Sequence, residues 1–169
     1  MVIRLCESRT INMAAKIKIL TYQNYCQMIK DSQGSQMFQR LYVLENNQKK
    51  DILKNGELSC AYYVSSILKI FDLISQPHAT VKSAIKDLLK NDWRETKKLK
   101  PGNVLVWEEK RFPDGTINQH IGFYLSQNKA ISHRFEKKTP IIHHFTYGQT
   151  KTGQPERKII QILTHKIIE

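Results

Sequence analysis

Cys60 and His120 are the two side chains of this 169-residue chain whose types and order suit covalent chemistry. Cys60 stands in Asn55-Gly56-Glu57-Leu58-Ser59-Cys60-Ala61-Tyr62-Tyr63-Val64, where a polar turn gives way to an apolar helical pattern. His120 opens His120-Ile121-Gly122-Phe123-Tyr124-Leu125, which reads as a strand with the histidine at its start. A thiol is mostly protonated at neutral pH. The free N–H groups and dipole of a helix N-terminus stabilise the thiolate. A nearby histidine takes the proton and later returns it to a leaving amine. If the two residues meet, they form the nucleophile pair of a cysteine hydrolase. Taken singly, a cysteine before an apolar helix is usually a small core residue, and a histidine at a strand start is an ordinary surface or core group. The weight lies in their joint pattern.

The elements that must position the pair follow from periodicity. Ile17, Leu20, Tyr25, Met28 and Ile29 recur at helical spacing within residues 13–31. Residues 32–56 are polar apart from Met37, Phe38, Leu41 and Tyr42. Cys60 then opens the strongest helical pattern, with Val64, Ile67, Leu68, Phe71 and Ile74 as one stripe and Pro77 as its end. Thr80 is a good N-cap for a second helix carrying Val81, Ala84, Ile85 and Leu88. After residue 100 the period changes. Pro101-Gly102 marks a turn, Val104-Leu105-Val106-Trp107 a strand, Pro113-Asp114-Gly115-Thr116 a reversal, and Ile121–Leu125 the returning strand. Further strands are expected around Lys129–Ser132 and Ile159–Leu163, with a turn at Ser126–Asn128 between the returning strand and the first of them. Helices followed by an antiparallel meander predict an α+β domain. Strand alternation puts His120, Gly122 and Tyr124 on one face, and Gly122, lacking a side chain, permits a close approach beside the histidine. Trp93 and Trp107 are read as packing residues, with Trp107 at the border of the cleft. His78 falls in the loop beside Pro77, and His143-His144 at a strand end or loop.

The bulk numbers bound the class. A length of 169 residues suits a single domain, taken as 13–169, with 1–12 as a leader of no periodic pattern and Met13 as an alternative start. Hydrophobic content of 40% and charged content of 25% are those of an ordinary globular chain. The net charge of +12, with a pI near 9.7, favours contact with polyanions. The lysines are spread out rather than blocked; Lys97-Lys98-Leu99-Lys100 is the densest run and reads as a solvated linker. Three cysteines, Cys6, Cys26 and Cys60, argue against a disulfide framework. There is no CxxC pair, and no spacing supports a metal cluster of His120, His133 and His143; no metal or cofactor is expected. No membrane-spanning run and no uninterrupted apolar signal segment is seen. A cytoplasmic site of action, or export by a specialised or phage-type route, is therefore expected.

Three stretches in order carry a family resemblance: Ser59-Cys60-Ala61-Tyr62-Tyr63-Val64, Pro101-Gly102-Asn103-Val104-Leu105-Val106-Trp107 and His120-Ile121-Gly122-Phe123-Tyr124-Leu125. Together they resemble the NlpC/P60 superfamily of papain-like peptidases and amidases, over about residues 40–135. The CHAP amidases are a near alternative with the same Cys-then-His order. The resemblance implies a papain-like fold with the cysteine helix packed on a small antiparallel sheet. It implies amide hydrolysis, typically of peptidoglycan stem peptides, with Cys60 as nucleophile, the Cys60 backbone N–H at the oxyanion and His120 as base and acid. It also implies a third residue orienting His120 from the next strand. Strict spacing points to Ser132, while a one-residue shift gives His133, the better orienting group by chemistry. Tyr42 falls roughly where such enzymes place a tyrosine near the oxyanion site. The chain departs from the family's Asp-Cys-Ser-Gly at Ser59-Cys60-Ala61-Tyr62, and Asn103 replaces the usual aspartate of Pro-Gly-Asp. These departures leave room for a second reading, a non-catalytic module on the same fold that binds cell wall or nucleic acid.

Overall fold

Ser59 and Cys60 begin the helix around which the domain is assembled. The computed structural model describes residues 17–111, 115 and 117–168. Residues 1–12, expected to be a leader, with Cys6, the alternative start Met13 and most of the reversal at 113–116 lie outside the described residues. In chain order the helices are α1 (Thr21–Asp31), α2 (Cys60–Ile70) and α3 (Val81–Lys90). The strands are β1 (Tyr42–Glu45), β2 (Gln48–Asp51), β3 (Arg94–Glu95), β4 (Val104–Arg111), β5 (Ile117–Ser126), β6 (Lys129–Arg134), β7 (Thr139–His144) and β8 (Ile159–Thr164). β1 and β2 form a separate hairpin, and the other six make an antiparallel sheet in the order β3-β8-β4-β5-β6-β7. The domain is thus mixed α+β with two antiparallel sheets. It is not a plain meander, since β8 returns to pair along the edge of β4 that β5 leaves open.

The sheet is covered on both faces, and strand alternation decides which residue meets which layer. Ile121, Phe123 and Leu125 point to the helices, where Phe123 meets Tyr25 and Tyr63 edge-to-face at 6.0 and 5.7 Å. Leu105, Trp107, Tyr124 and Ala130 point the other way and are covered by Phe145 and Tyr147 from the segment after β7. Each fully buried side chain of this size contributes about 1.5–3 kcal/mol, so β4, β5 and β6 form a rigid platform. α2 packs on β5 and β6 through Ala61, Tyr63, Val64, Ile67 and Leu68.

Several expectations are corrected. The N-terminal helix starts at Thr21, with Ile17 and Leu20 exposed before it and Met28 turned outward; only Tyr25 and Ile29 reach the core. Its function is local: Tyr25 Oη donates to the Gly102 carbonyl at 2.7 Å and Tyr22 Oη to the Pro101 carbonyl at 3.0 Å, fixing the turn into β4. Gly102 has φ +88°, and a Cβ there would lie 2.6 Å from the Tyr25 ring, so this turn requires glycine. The polar segment 32–56 contains the β1–β2 hairpin. Its turn residues, Asn46 and Asn47, both take the left-handed conformation that asparagine tolerates and tight hairpins need. α2 ends at Ile70, before Pro77, through the turn at Phe71 and Asp72. Thr80 caps α3 as expected, its Oγ1 accepting from the Ser83 N–H at 3.2 Å.

Candidate active site

α2 presents Cys60 with its helical N-terminus unoccupied. Ser59 makes no side-chain cap, its buried Oγ has no hydrogen-bond partner among the described residues, and the first helical bond runs from the Tyr63 N–H to the Ser59 carbonyl at 2.8 Å. The backbone N–H groups of Cys60 and Ala61 are therefore left to face the sulfur. A third donor comes from the sheet: the thiol lies against the Ile121 N–H, one residue beyond His120. The turn leading into α2 is tied by Asp51, whose carboxylate accepts from the N–H groups of Leu41, Leu53 and Asn55 and is held below its usual range by those donors, against the effect of its burial.

His120 is not at the start of its strand. β5 begins at Ile117, which places His120 opposite Trp107 of β4. The β4 register slips beside Trp107 against both neighbours, β5 and β8, and such bulges commonly re-aim side chains next to active sites. The His120 ring packs against Trp107 at 5.5 Å and against the edge of Tyr147 at 6.1 Å. Its Nε2 is buried and has no hydrogen-bond partner among the described residues. Gly122 makes the close approach anticipated, but to the sheet rather than to a helix end or a substrate. A Cβ there would lie 2.5 Å from the Ile131 carbonyl, 2.7 Å from Ser132 Cβ and 3.1 Å from the Trp107 ring.

Cys60 and His120 both line one cleft of about 510 Å³, together with His133, Phe135 and Arg157 and with the loop Ala79–Val81 opposite. That loop is pinned by His78: its N–H donates to Ser65 Oγ at 2.7 Å and its Nε2 meets Asp87 Oδ2 at 2.7 Å. A second cleft of about 710 Å³ adjoins it, sharing His120, Phe135 and Arg157.

The two candidates for the third residue separate by face. Ser132 lies on the sheet face of Trp107 and Tyr147, fully buried, and is already engaged. His143 Nδ1 donates to the His144 carbonyl at 2.8 Å, so its Nε2 accepts from Ser132 Oγ at 2.8 Å, and Ser132 in turn accepts from Tyr147 Oη at 3.0 Å. His133 points to the helix face, near Tyr63 at 6.4 Å, and borders the cleft. Among the described residues neither ring nitrogen makes a well-formed hydrogen bond, though the Lys138 carbonyl lies nearby, and none joins it to His120. What holds the His120 ring is the aromatic pair Trp107 and Tyr147. Tyr42 is half-exposed on β1 under Lys49 and lines neither cleft. Trp107 is fully buried behind His120, with its indole N–H donating to the Phe145 carbonyl at 2.7 Å, and does not form a wall of either cleft.

Two residues of the site went unremarked in the sequence. Tyr147 and Arg157 sit in the long connection before β8, without periodicity or motif to mark them. Arg157 is only 8% exposed. Its Nε and Nη2 donate to the Glu108 carbonyl at 3.1 and 2.9 Å, and Nη2 also to the Asn118 carbonyl at 3.1 Å.

Burial dominates the electrostatics. It pushes the Cys60 thiol up, opposed by the N–H groups of Ile121 and Ala61 and by the Arg157 charge. It holds His120 well below the usual imidazole value, reinforced by Arg157. It lowers His133 to about 4, opposed by the nearby Lys138 carbonyl, and His143 to about 4. At neutral pH the resting pair is a neutral thiol and a neutral imidazole beside a guanidinium. Burial and the Arg157 charge oppose an imidazolium at His120, while the N–H groups and Arg157 favour the sulfur anion as it forms. Among the described residues, no group of three His, Cys, Asp or Glu side chains is placed to hold a metal ion, and no helix is long and apolar enough to cross a membrane.

No family model and no curated protein matches the chain.

Proposed function

We propose that the protein is a papain-like cysteine hydrolase of NlpC/P60 type that cleaves an amide bond, with peptidoglycan stem peptides as the substrate class. The observation that supports this most is the shared cleft: a thiol at an uncapped helix N-terminus and a histidine with a buried, unpartnered Nε2 form walls of the same cavity. In this reading the Cys60 sulfur attacks the amide carbonyl as His120 takes the thiol proton. The C–S bond forms, and the carbonyl oxygen becomes an oxyanion facing the Cys60 N–H. The C–N bond then breaks, and His120 returns the proton to the departing amine. Water, activated by His120, hydrolyses the thioester and restores the thiol. The packing of α2 on β5 and β6 supports the papain-like assignment, and the net positive charge favours approach to an anionic wall polymer.

The test is hydrolysis of purified peptidoglycan and synthetic stem peptides, with new amines identified by mass spectrometry. Release by the natural chain, absent in Cys60→Ala and in His120→Ala with both variants folded, is expected. If the natural chain releases nothing but binds the polymer, the non-catalytic module is the better account.

A further inference from the structure

Arg157 is a buried cation whose charge is met only in part, by the Glu108 carboxylate acting through space. Among the described residues no carboxylate lies within ion-pair distance of it. Its hydrogen bonds go only to the carbonyls of Glu108 and Asn118, and the Glu108 carboxylate instead accepts from the Lys158 N–H at 2.9 Å. A charge removed from water and hydrogen-bonded to carbonyls rather than to a carboxylate attracts an anion. Arg157 also stands where the two clefts join, within electrostatic reach of the Cys60 sulfur. The second cleft extends this field. Lys110, Arg111 and Arg134 line it, with Arg134 lying over the Tyr147 ring at 4.9 Å. Its acidic walls offset part of this: Glu136 pairs with Arg134 at 3.2 Å, and with Glu156 it stands against Lys110, Arg111, Arg134 and Arg157, so cations remain in excess.

We propose that Arg157, with Arg134 beside it, forms a carboxylate-binding subsite next to the Cys60 thiol, so that the preferred substrate is a peptide with a free carboxylate close to its scissile amide. The statement about substrate rests on the hydrolase reading; the subsite itself does not. The scissile carbonyl occupies the first cleft, between Cys60 and His120, and the carboxylate reaches into the second. A guanidinium suits this because its planar fork pairs with a carboxylate through two parallel N–H···O bonds.

Iodoacetate and iodoacetamide test the subsite without a known substrate. They alkylate a thiol by the same displacement of iodide and differ in a carboxylate against a carboxamide. Each rate is read separately at Cys60 and at Cys26 by peptide mass spectrometry, in the full chain at pH 8. Cys26, half-buried on α1, reports the general field of the protein. The expected iodoacetate-to-iodoacetamide ratio at Cys60 exceeds that at Cys26 by about tenfold or more, a size typical of one charge-assisted contact. It falls toward the Cys26 value in Arg134→Gln and further in Arg157→Gln. Circular dichroism checks that each variant is folded, and Arg134→Gln stands alone if Arg157→Gln does not fold. Equal ratios at the two cysteines, or no alkylation of Cys60 by either reagent, would overturn the proposal. A raised ratio in a chain that hydrolyses no peptide leaves the subsite standing and removes the hydrolase reading.

Discussion

The Cys60 thiol lies against the backbone N–H of Ile121, the residue that follows His120. This contact joins α2 to β5 beside the two residues proposed as nucleophile and base. Both residues then open onto one cleft, and the consequences can be measured.

Removing the proposed nucleophile should abolish turnover and leave the fold intact. Cys60→Ala deletes only a half-buried sulfur at the first turn of α2. A loss of at least about 10⁴-fold in kcat/KM is expected for a nucleophile that acts as a unit with its base, with a urea midpoint close to that of the natural chain. Residual turnover within tenfold would remove Cys60 from the chemistry.

His133→Leu should raise stability and spare activity. Among the described residues the two buried imidazole nitrogens make no well-formed hydrogen bond, with only the Lys138 carbonyl nearby, and replacing them with an apolar group of similar size relieves a penalty of about 1–3 kcal/mol. Chemical denaturation reads the gain, and kcat/KM should stay within tenfold. A large loss of turnover would instead show that His133 orients His120.

Ser132→Ala should act in the opposite sense. It removes the hydroxyl that joins Tyr147 to His143 and takes a partner from each of these two half-buried groups, a cost of about 1 kcal/mol or more. Tyr147 also packs on His120, so kcat is expected to fall with stability. An unchanged denaturation midpoint would contradict the network.

Gly122→Ala should destabilise the sheet around the site. Its Cβ meets the Ile131 backbone carbonyl at 2.5 Å, a contact that no side-chain rotation relieves. Overpacking of this kind costs about 1–3 kcal/mol. Thermal unfolding at neutral pH measures it, and a melting temperature equal to that of the natural chain would argue against the tight β5–β6 approach.

Acid should weaken the fold through its histidines. Burial holds His133 and His143 at about 4 and His120 well below 6.5. Unfolding returns each to about 6.5, so the unfolded chain binds more protons between these values. The stabilisation is complete above pH 6.5 and lost as pH falls toward 4. One histidine moved from 6.5 to about 4 accounts for on the order of 3 kcal/mol. Urea midpoints at pH 7, 6, 5 and 4 should fall steadily, and His133→Leu should flatten the slope. Equal midpoints at pH 7 and 5 would contradict the burial of these rings.

By itself the sequence determined what local chemistry governs: the stripe of α2, the Thr80 cap, the Pro101-Gly102 turn and the alternation that gives His120 and Gly122 a common face. Each depends on neighbours within a few residues, whose spacing is written in the chain. The short strands of the hairpin escaped notice because Tyr42–Glu45 and Gln48–Asp51 are almost wholly solvent-facing and carry no apolar alternation. Only the tertiary structure separated the two candidates for a third residue, because one step along β6 exchanges Ser132 for His133 and one sheet face for the other, and it hydrogen-bonds neither to His120 Nε2. It alone brought Arg157 to the cleft, from a loop 97 positions beyond Cys60. The worth of a buried charge depends on which backbone carbonyls and ionisable groups surround it, and those come from β4, β5 and α2, which no local pattern around residue 157 records.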